Sequence, residues 1–252
     1  MQACPWNFLL DNKKHIISLV GGGGKTTIMY ELAGVFAKQG KKVVCMTTTH
    51  ILKPKQCYFD FQQGHCEIFS TIAHSEPIYA NSFRDVEALW QQGKYAVVGE
   101  EETNSSKLVL PAPSMLKNIL QSSELVLIES DGAKHLPCKL PAHHEPVLLQ
   151  ESDIVIAVVG LDALGKSLDE VCFRWQLGEK IFASSCNSLM DEPKLTQLLL
   201  SEQGARKNVG NRDFYIALNK CDLVEPKQAL QMRELLQTQG IEPSKIWLRN
   251  LP

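Results

Sequence analysis

The chain has 252 residues, 44% of them hydrophobic and 21% charged, with a formal net charge of −2. That composition excludes disorder of the whole chain, allows one or two domains, and lets about 70–75% of the unfolded surface be buried without a metal or disulfide staple. Twenty-six Lys plus Arg against twenty-eight Asp plus Glu give no broad positive footprint for a nucleic-acid backbone, so the expected partner is a small ligand or another protein and not nucleic acid.

Met1 to Lys14 carries apolar residues and then two lysines, the wrong order for a signal peptide, and no run approaches the roughly 20 apolar residues of a spanning helix. The expected location is the cytoplasm, with no membrane partner. Ile16 to Val20 reads as a buried strand running into Gly21-Gly22-Gly23-Gly24-Lys25-Thr26-Thr27. Ile28, Leu32, Val35 and Phe36 then fall at helical spacing up to Gly40, and Val43 to Thr47 is a second strand, which completes a β-α-β unit.

From Thr48 to about Pro77 no long period holds, and the segment reads as loop with short strands such as Cys66 to Phe69. Helices are predicted at Ser82–Gln92 and Ser114–Ser122, and strands at Tyr95–Val98, Leu125–Ile128 and Ile154–Val159. The spacing next predicts helices over Leu168–Gly178 and Asp191–Ser201, a strand at Phe214–Leu218, a helix from Pro226 to about Thr238 and a last strand at Ile246–Leu248. Strands alternating with helices of this length imply one α/β domain over residues 1–252 around a mostly parallel sheet, with substrate or partner loops near 48–80, 100–113 and 133–150. The eight cysteines, Cys4, Cys45, Cys57, Cys66, Cys138, Cys172, Cys186 and Cys221, form no close CxxC pair and read as free thiols in a reducing setting.

The glycine loop carries the chemistry. Gly21, Gly22, Gly23 and Gly24 let backbone N–H groups approach phosphate oxygens without side-chain obstruction, and the helix N-terminus adds favourable partial charge. Lys25 would reach the terminal phosphates, Thr26 would ligate magnesium, and Thr27 reads first as a residue of the first helical turn, with support of the α-phosphate as the alternative. Leu19 stands where the strict motif begins with glycine. A tight turn that merely packs a helix on a sheet would leave the lysine and hydroxyls unexplained.

At the end of the Leu125–Ile128 strand come Glu129, Ser130, Asp131 and Gly132. Glu129 and Asp131 are candidates to hold the ion, and Gly132 to approach the terminal phosphate. They would share a face if the strand continued, whereas a loop starting at Ser130 would separate their roles. Asn219-Lys220-Cys221-Asp222 follows another buried strand. The Asp222 carboxylate can accept two hydrogen bonds from the guanine edge, Asn219 can brace the base or the neighbouring loop, and the Lys220 stem can cover a ring. Lower-ranked substrate or partner residues are Thr49, His50, Lys107, His135, His143, His144, Asp162 and Lys166. The adjacent histidines do not by spacing converge on one metal.

Taken together, the chain resembles the YqeC-like family of small P-loop proteins, accessory or cofactor-biosynthesis proteins of selenium-dependent molybdenum hydroxylases. The resemblance rests on Leu19 to Thr27, Thr47-Thr48-Thr49, Glu129 to Ala133, Leu136 to Lys139, Pro141 to Pro146, Gly160 to Gly165 and Asn219 to Asp222. Lys107 to Pro111 departs from it by lacking a glycine. The resemblance implies a three-layer P-loop NTPase-like fold, Mg2+ with GTP or ATP as cofactors, and a molybdenum cofactor precursor or hydroxylase as partner. The activity stays open between GTP hydrolysis in hydroxylase maturation, a kinase or ligase acting on a small acid or cofactor precursor, and a nucleotide-independent interaction module.

Overall fold

Strand β1 (His15–Gly21) is buried along its whole length, as an unbroken apolar run requires of a strand covered on both faces. Its one hydroxyl, Ser18 Oγ, lies 2.9 Å from Ser152 Oγ, which removes the penalty for burying it. This computed structural model describes residues 13–54, 76–182 and 188–250. The segment expected to hold a strand at Cys66–Phe69 lies outside the described residues.

Three glycines after β1, helix α1 (Lys25–Lys38) begins. It stops where Gly40 turns left-handed at φ 87° and donates to Ala37 O at 2.9 Å, a C-terminal stop that a β-carbon would oppose. Next come β2 (Val43–Thr47), the short β3 (Ile51–Leu52) and β4 (Ile78–Tyr79), and α2 (Phe83–Gln91). The start of α2 is fixed by a reciprocal cap between Ser82 and Asp85, worth about 1 kcal/mol. Strands β5 (Ala96–Val97), β6 (Glu100–Glu101) and β7 (Lys107–Val109) lead to α3 (Pro113–Ser122), whose leading proline loses no helical bond.

Strand β8 (Leu125–Glu129) is followed by β9 (Cys138–Lys139) and β10 (Ile154–Gly160). The helix expected over Leu168–Gly178 is not continuous. It breaks into α4 (Leu168–Val171), strand β11 (Cys172–Phe173) and a 3-10 turn at Trp175–Gly178. Helical spacing loses there to tertiary pairing: Cys172 and Phe173 align with Cys138 and Lys139, and Arg174 is left-handed at φ 61°, outside helical space. Then follow α5 (Glu179–Phe182), α6 (Glu192–Leu200), β12 (Asp213–Asn219), α7 (Pro226–Thr238) and β13 (Ile246–Leu248).

The result is an α/β fold whose main sheet has the strand order β13-β12-β10-β1-β8-β2-β5-β4. The pairs β10–β12, β12–β13, β2–β8, β2–β5 and β4–β5 all run parallel. A two-stranded parallel pair, β11–β9, and a three-stranded sheet, β3-β7-β6, complete the strand set among the described residues. By contact the described chain forms two compact units, one containing Ser18–Lys25 and the residues from Ser130 onward, the other containing the residues up to Ile17 and Thr26–Glu129. The first has a core that includes Val20, Leu140, Val155, Val159, Leu195 and Leu218. In the second, Ile28, Phe36, Val44, Leu89, Tyr95 and Leu127 are buried. Burying each such side chain contributes about 1.5–3 kcal/mol.

Candidate functional site

In the first unit, the glycine loop is built by close backbone approach. A β-carbon at Gly23 would lie 2.2 Å from Gly160 N and 2.7 Å from Pro137 O, and one at Gly22 would lie 2.6 Å from Leu136 O. No side chain fits there, so the chain needs glycine at these positions for packing as well as for any ligand. The same approach uses the amides: Gly22 N–H donates to Val158 O and Gly23 N–H to Leu136 O, both at 2.9 Å. Gly21 N–H donates to both oxygens of Asp131, at 3.2 and 3.1 Å. The amides of Gly21, Gly22 and Gly23 are thus all paired within the protein, whereas the leading N–H groups of an α-helix have no intrahelical acceptor.

Lys25 occupies that helix start with only 4% of its surface exposed. Its ammonium donates to Gly21 O at 2.5 Å and lies 3.1 Å from Asp131 Oδ1. Asp131 faces a second buried cation, Lys139, at 3.3 Å, and Lys139 also donates to Gly132 O at 2.8 Å and Glu145 at 2.5 Å. Arg174 closes the chain of charges with its own bond to Glu145 at 2.5 Å. Burial alone would raise the Glu145 carboxyl, but the hydrogen bonds from Lys139 and Arg174 outweigh it and hold the group below its ordinary range. Gly132 has open space where a β-carbon would stand.

The Asn219 segment reaches the same loop. Asn219 is buried, donates from Nδ2 to Gly23 O at 2.7 Å and accepts from Arg249 Nη1 at 2.7 Å. Lys220 is left-handed at φ 61° and donates to Asp162 Oδ2 at 2.8 Å. Asp222 sits in a 3-10 turn with its side chain exposed. Lys166 and His135 are exposed, and His143 and His144 are exposed and stack edge to face at 4.9 Å.

In the second unit, Thr26 Oγ1 donates to Glu129 Oε2 at 2.5 Å, while Thr27 points outward and is exposed. Thr47 Oγ1 donates to Glu129 O at 2.8 Å and accepts from Thr49 N–H at 2.9 Å, so the threonine run fixes the backbone that carries Glu129. Strand β8 ends at Glu129, and Glu129 and Asp131 accordingly take different partners, Thr26 for one and Lys25 for the other. His50 pairs with Glu102 at 3.2 Å, and Lys107 lies exposed in β7.

In the sequence, Lys139 and Glu145 stand only within longer motifs, and nothing marks out Arg174. A lysine in the otherwise buried run Pro137-Cys138-Lys139-Leu140 was the available signal, because a buried ammonium must have an acid partner. Among the described residues no group of three or more His, Cys, Asp and Glu could hold a metal ion, and no helix is long and apolar enough to cross a membrane.

The family model for the YqeC protein matches residues 17–176. The uncharacterized protein YqeC of Escherichia coli (strain K12) is 29% identical over 242 residues, covering 94% of this chain and 87% of that protein. No solved structure matches the chain.

Proposed function

Because the chain belongs to the YqeC family, we propose that it is a P-loop NTPase in fold and binds a nucleoside triphosphate with Mg2+ at the Gly21–Thr26 loop. We further propose that this nucleotide use serves maturation of a selenium-dependent molybdenum hydroxylase or its cofactor. The observation that carries the nucleotide reading is Lys25, an ammonium 4% exposed at the first position of a helix that follows four glycines and a parallel-sheet strand. Such a charge is unfavourable to bury unless something anionic answers it. Asp131 answers it at 3.1 Å, and a phosphate at the helix start would take the same ammonium.

The donor set fits magnesium. Thr26 Oγ1 and Glu129 Oε2 are hard oxygens already 2.5 Å apart, and magnesium characteristically takes one or two protein oxygens and completes its shell with water and substrate phosphates. When bound, the ion would be held by Thr26 and Glu129 and would supply positive charge to offset the negative charge that develops on phosphate. The chain's own residues do the rest. Lys25 exchanges Asp131 for phosphate, Asp131 keeps the Gly21 N–H and Lys139, and Asn219 holds the loop through Gly23 O. The Asn219 bond also ties the loop to Asp222, the residue proposed to select guanine over adenine.

Isothermal titration of the magnesium-supplied protein with GTP and ATP tests this reading. Millimolar or tighter binding of GTP, weaker for ATP, is the expected result, and no binding of either nucleotide would sink it. Product analysis then decides between hydrolysis, which yields inorganic phosphate alone, and transfer, which yields a phosphorylated acceptor.

A further inference from the structure

Segment 133–145 and strand β11 gather positive charge around one ring. Phe173 is the register partner of Lys139 in the β9–β11 pair. The Lys134 ammonium lies 5.1 Å from the Phe173 ring centroid, that of Lys139 5.9 Å, and the Arg174 guanidinium carbon 4.4 Å. A ring attracts an exposed cation only weakly, while three like charges in one cluster repel. Glu145 answers Lys139 and Arg174. Lys134 is different: it is exposed, and among the described residues no carboxylate pairs with it.

The backbone is strained at the same place. Lys134 (φ 48°), His135 (φ 63°) and Arg174 (φ 61°) are left-handed, a region that residues with a β-carbon enter uncommonly and that gathers at ligand sites. A further cation, Lys207, is pinned to the segment by bonds to Ala142 O at 2.5 Å and His143 O at 3.0 Å.

We propose that Lys134 and Arg174, in the field of the buried Lys139, bind the phosphate of a second small-molecule substrate, a phosphate ester. Arg174 meets Glu145 through Nη1, and a guanidinium presents five donors in a planar fork suited to phosphate. Lys134 supplies a point charge from a backbone that is held left-handed. The site has its own residues and does not require the nucleotide reading. Asp131 lies between the two, 3.1 Å from Lys25 and 3.3 Å from Lys139.

The test is calorimetric titration of the full chain with inorganic pyrophosphate at low ionic strength. Two equivalents are expected for the unaltered protein. Lys134→Gln with Arg174→Gln should weaken one of them about tenfold or more, as loss of charged hydrogen bonds to an anion does, and Lys25→Ala should remove the other. If Lys25→Ala leaves both in place, the loop reading fails and the present proposal stands. A single equivalent that Lys25→Ala abolishes and the double substitution does not touch overturns the proposal and leaves the loop reading standing. Equal weakening by Lys227→Gln, an exposed charge on α7, would reduce the cluster to general surface charge and overturn it as well. Should the double variant fail to fold, Lys134→Gln alone carries the comparison, because it breaks no ion pair with a described residue.

Discussion

Asp131 and Asp222 both follow buried strands at positions expected to touch ligand, yet the chain treats them oppositely. Asp131 is 2% exposed and accepts from Gly21 N–H while facing two buried ammonium groups. Asp222 stands exposed in a short turn. A buried carboxylate paired in this way supports the loop, whereas an exposed one leaves the fold little dependent on it. Two carboxylates with different expected roles, one at the ion and one at the base, thus carry very different structural stakes.

The largest test of that contrast is Asp131→Asn. It removes the carboxylate that faces Lys25 and one of the two that face Lys139, and should lower stability by about 3–5 kcal/mol in urea unfolding. A loss under 1 kcal/mol would mean that the Lys25 and Lys139 pairs do not matter to the fold. Asn219→Ala comes next, with about 1–3 kcal/mol expected from the loss of its buried hydrogen bonds to Gly23 O and Arg249 Nη1, measured the same way. An undisturbed midpoint would remove Asn219 from the loop's support.

Glu145 sharpens the comparison through pH. Its carboxyl is held below its ordinary value of 4.5 by Lys139 and Arg174, against the opposing pull of burial. A depressed pKa contributes stability that is fully present above the unfolded value and lost as pH falls through the folded one. Stability of the unaltered chain should therefore drop as pH falls below about 4.5, and Glu145→Gln should lack that component of the drop. Superimposable acid profiles would remove the claim. Asp222→Ala should have the smallest effect on stability, within about 0.5 kcal/mol, while weakening GTP more than ATP. Equal weakening of both nucleotides would indicate general damage to the turn instead of lost guanine recognition.

Much of the sheet was legible because fully buried parallel strands appear as bare apolar runs. Ile154–Val159 and Leu125–Ile128 sit inside β10 and β8. The 168–178 stretch was misread because pairing of Cys172 and Phe173 with β9 is tertiary and leaves no helical-period signature. At the glycine loop, a lysine and a hydroxyl placed at a helix start were legible. The split between Glu129 and Asp131 was not, since it depends on where β8 ends. Nor was the competition for the loop amides, because Val158 and Leu136 are brought to Gly22 and Gly23 only by folding.

The β9–β11 pair also sets Cys172 opposite Cys138, both buried and free. The neighbouring Cys172 thiol, together with burial, pushes the Cys138 thiol far above its usual range, and a protonated thiol is a poor nucleophile. An alkylating reagent should therefore leave Cys138 untouched for as long as this pair of strands stays closed. Read peptide by peptide, the growth of label at that residue becomes a clock for local opening, running without an engineered probe. Half-buried Cys221, at the mouth of its own turn, offers a second, faster hand on the same dial.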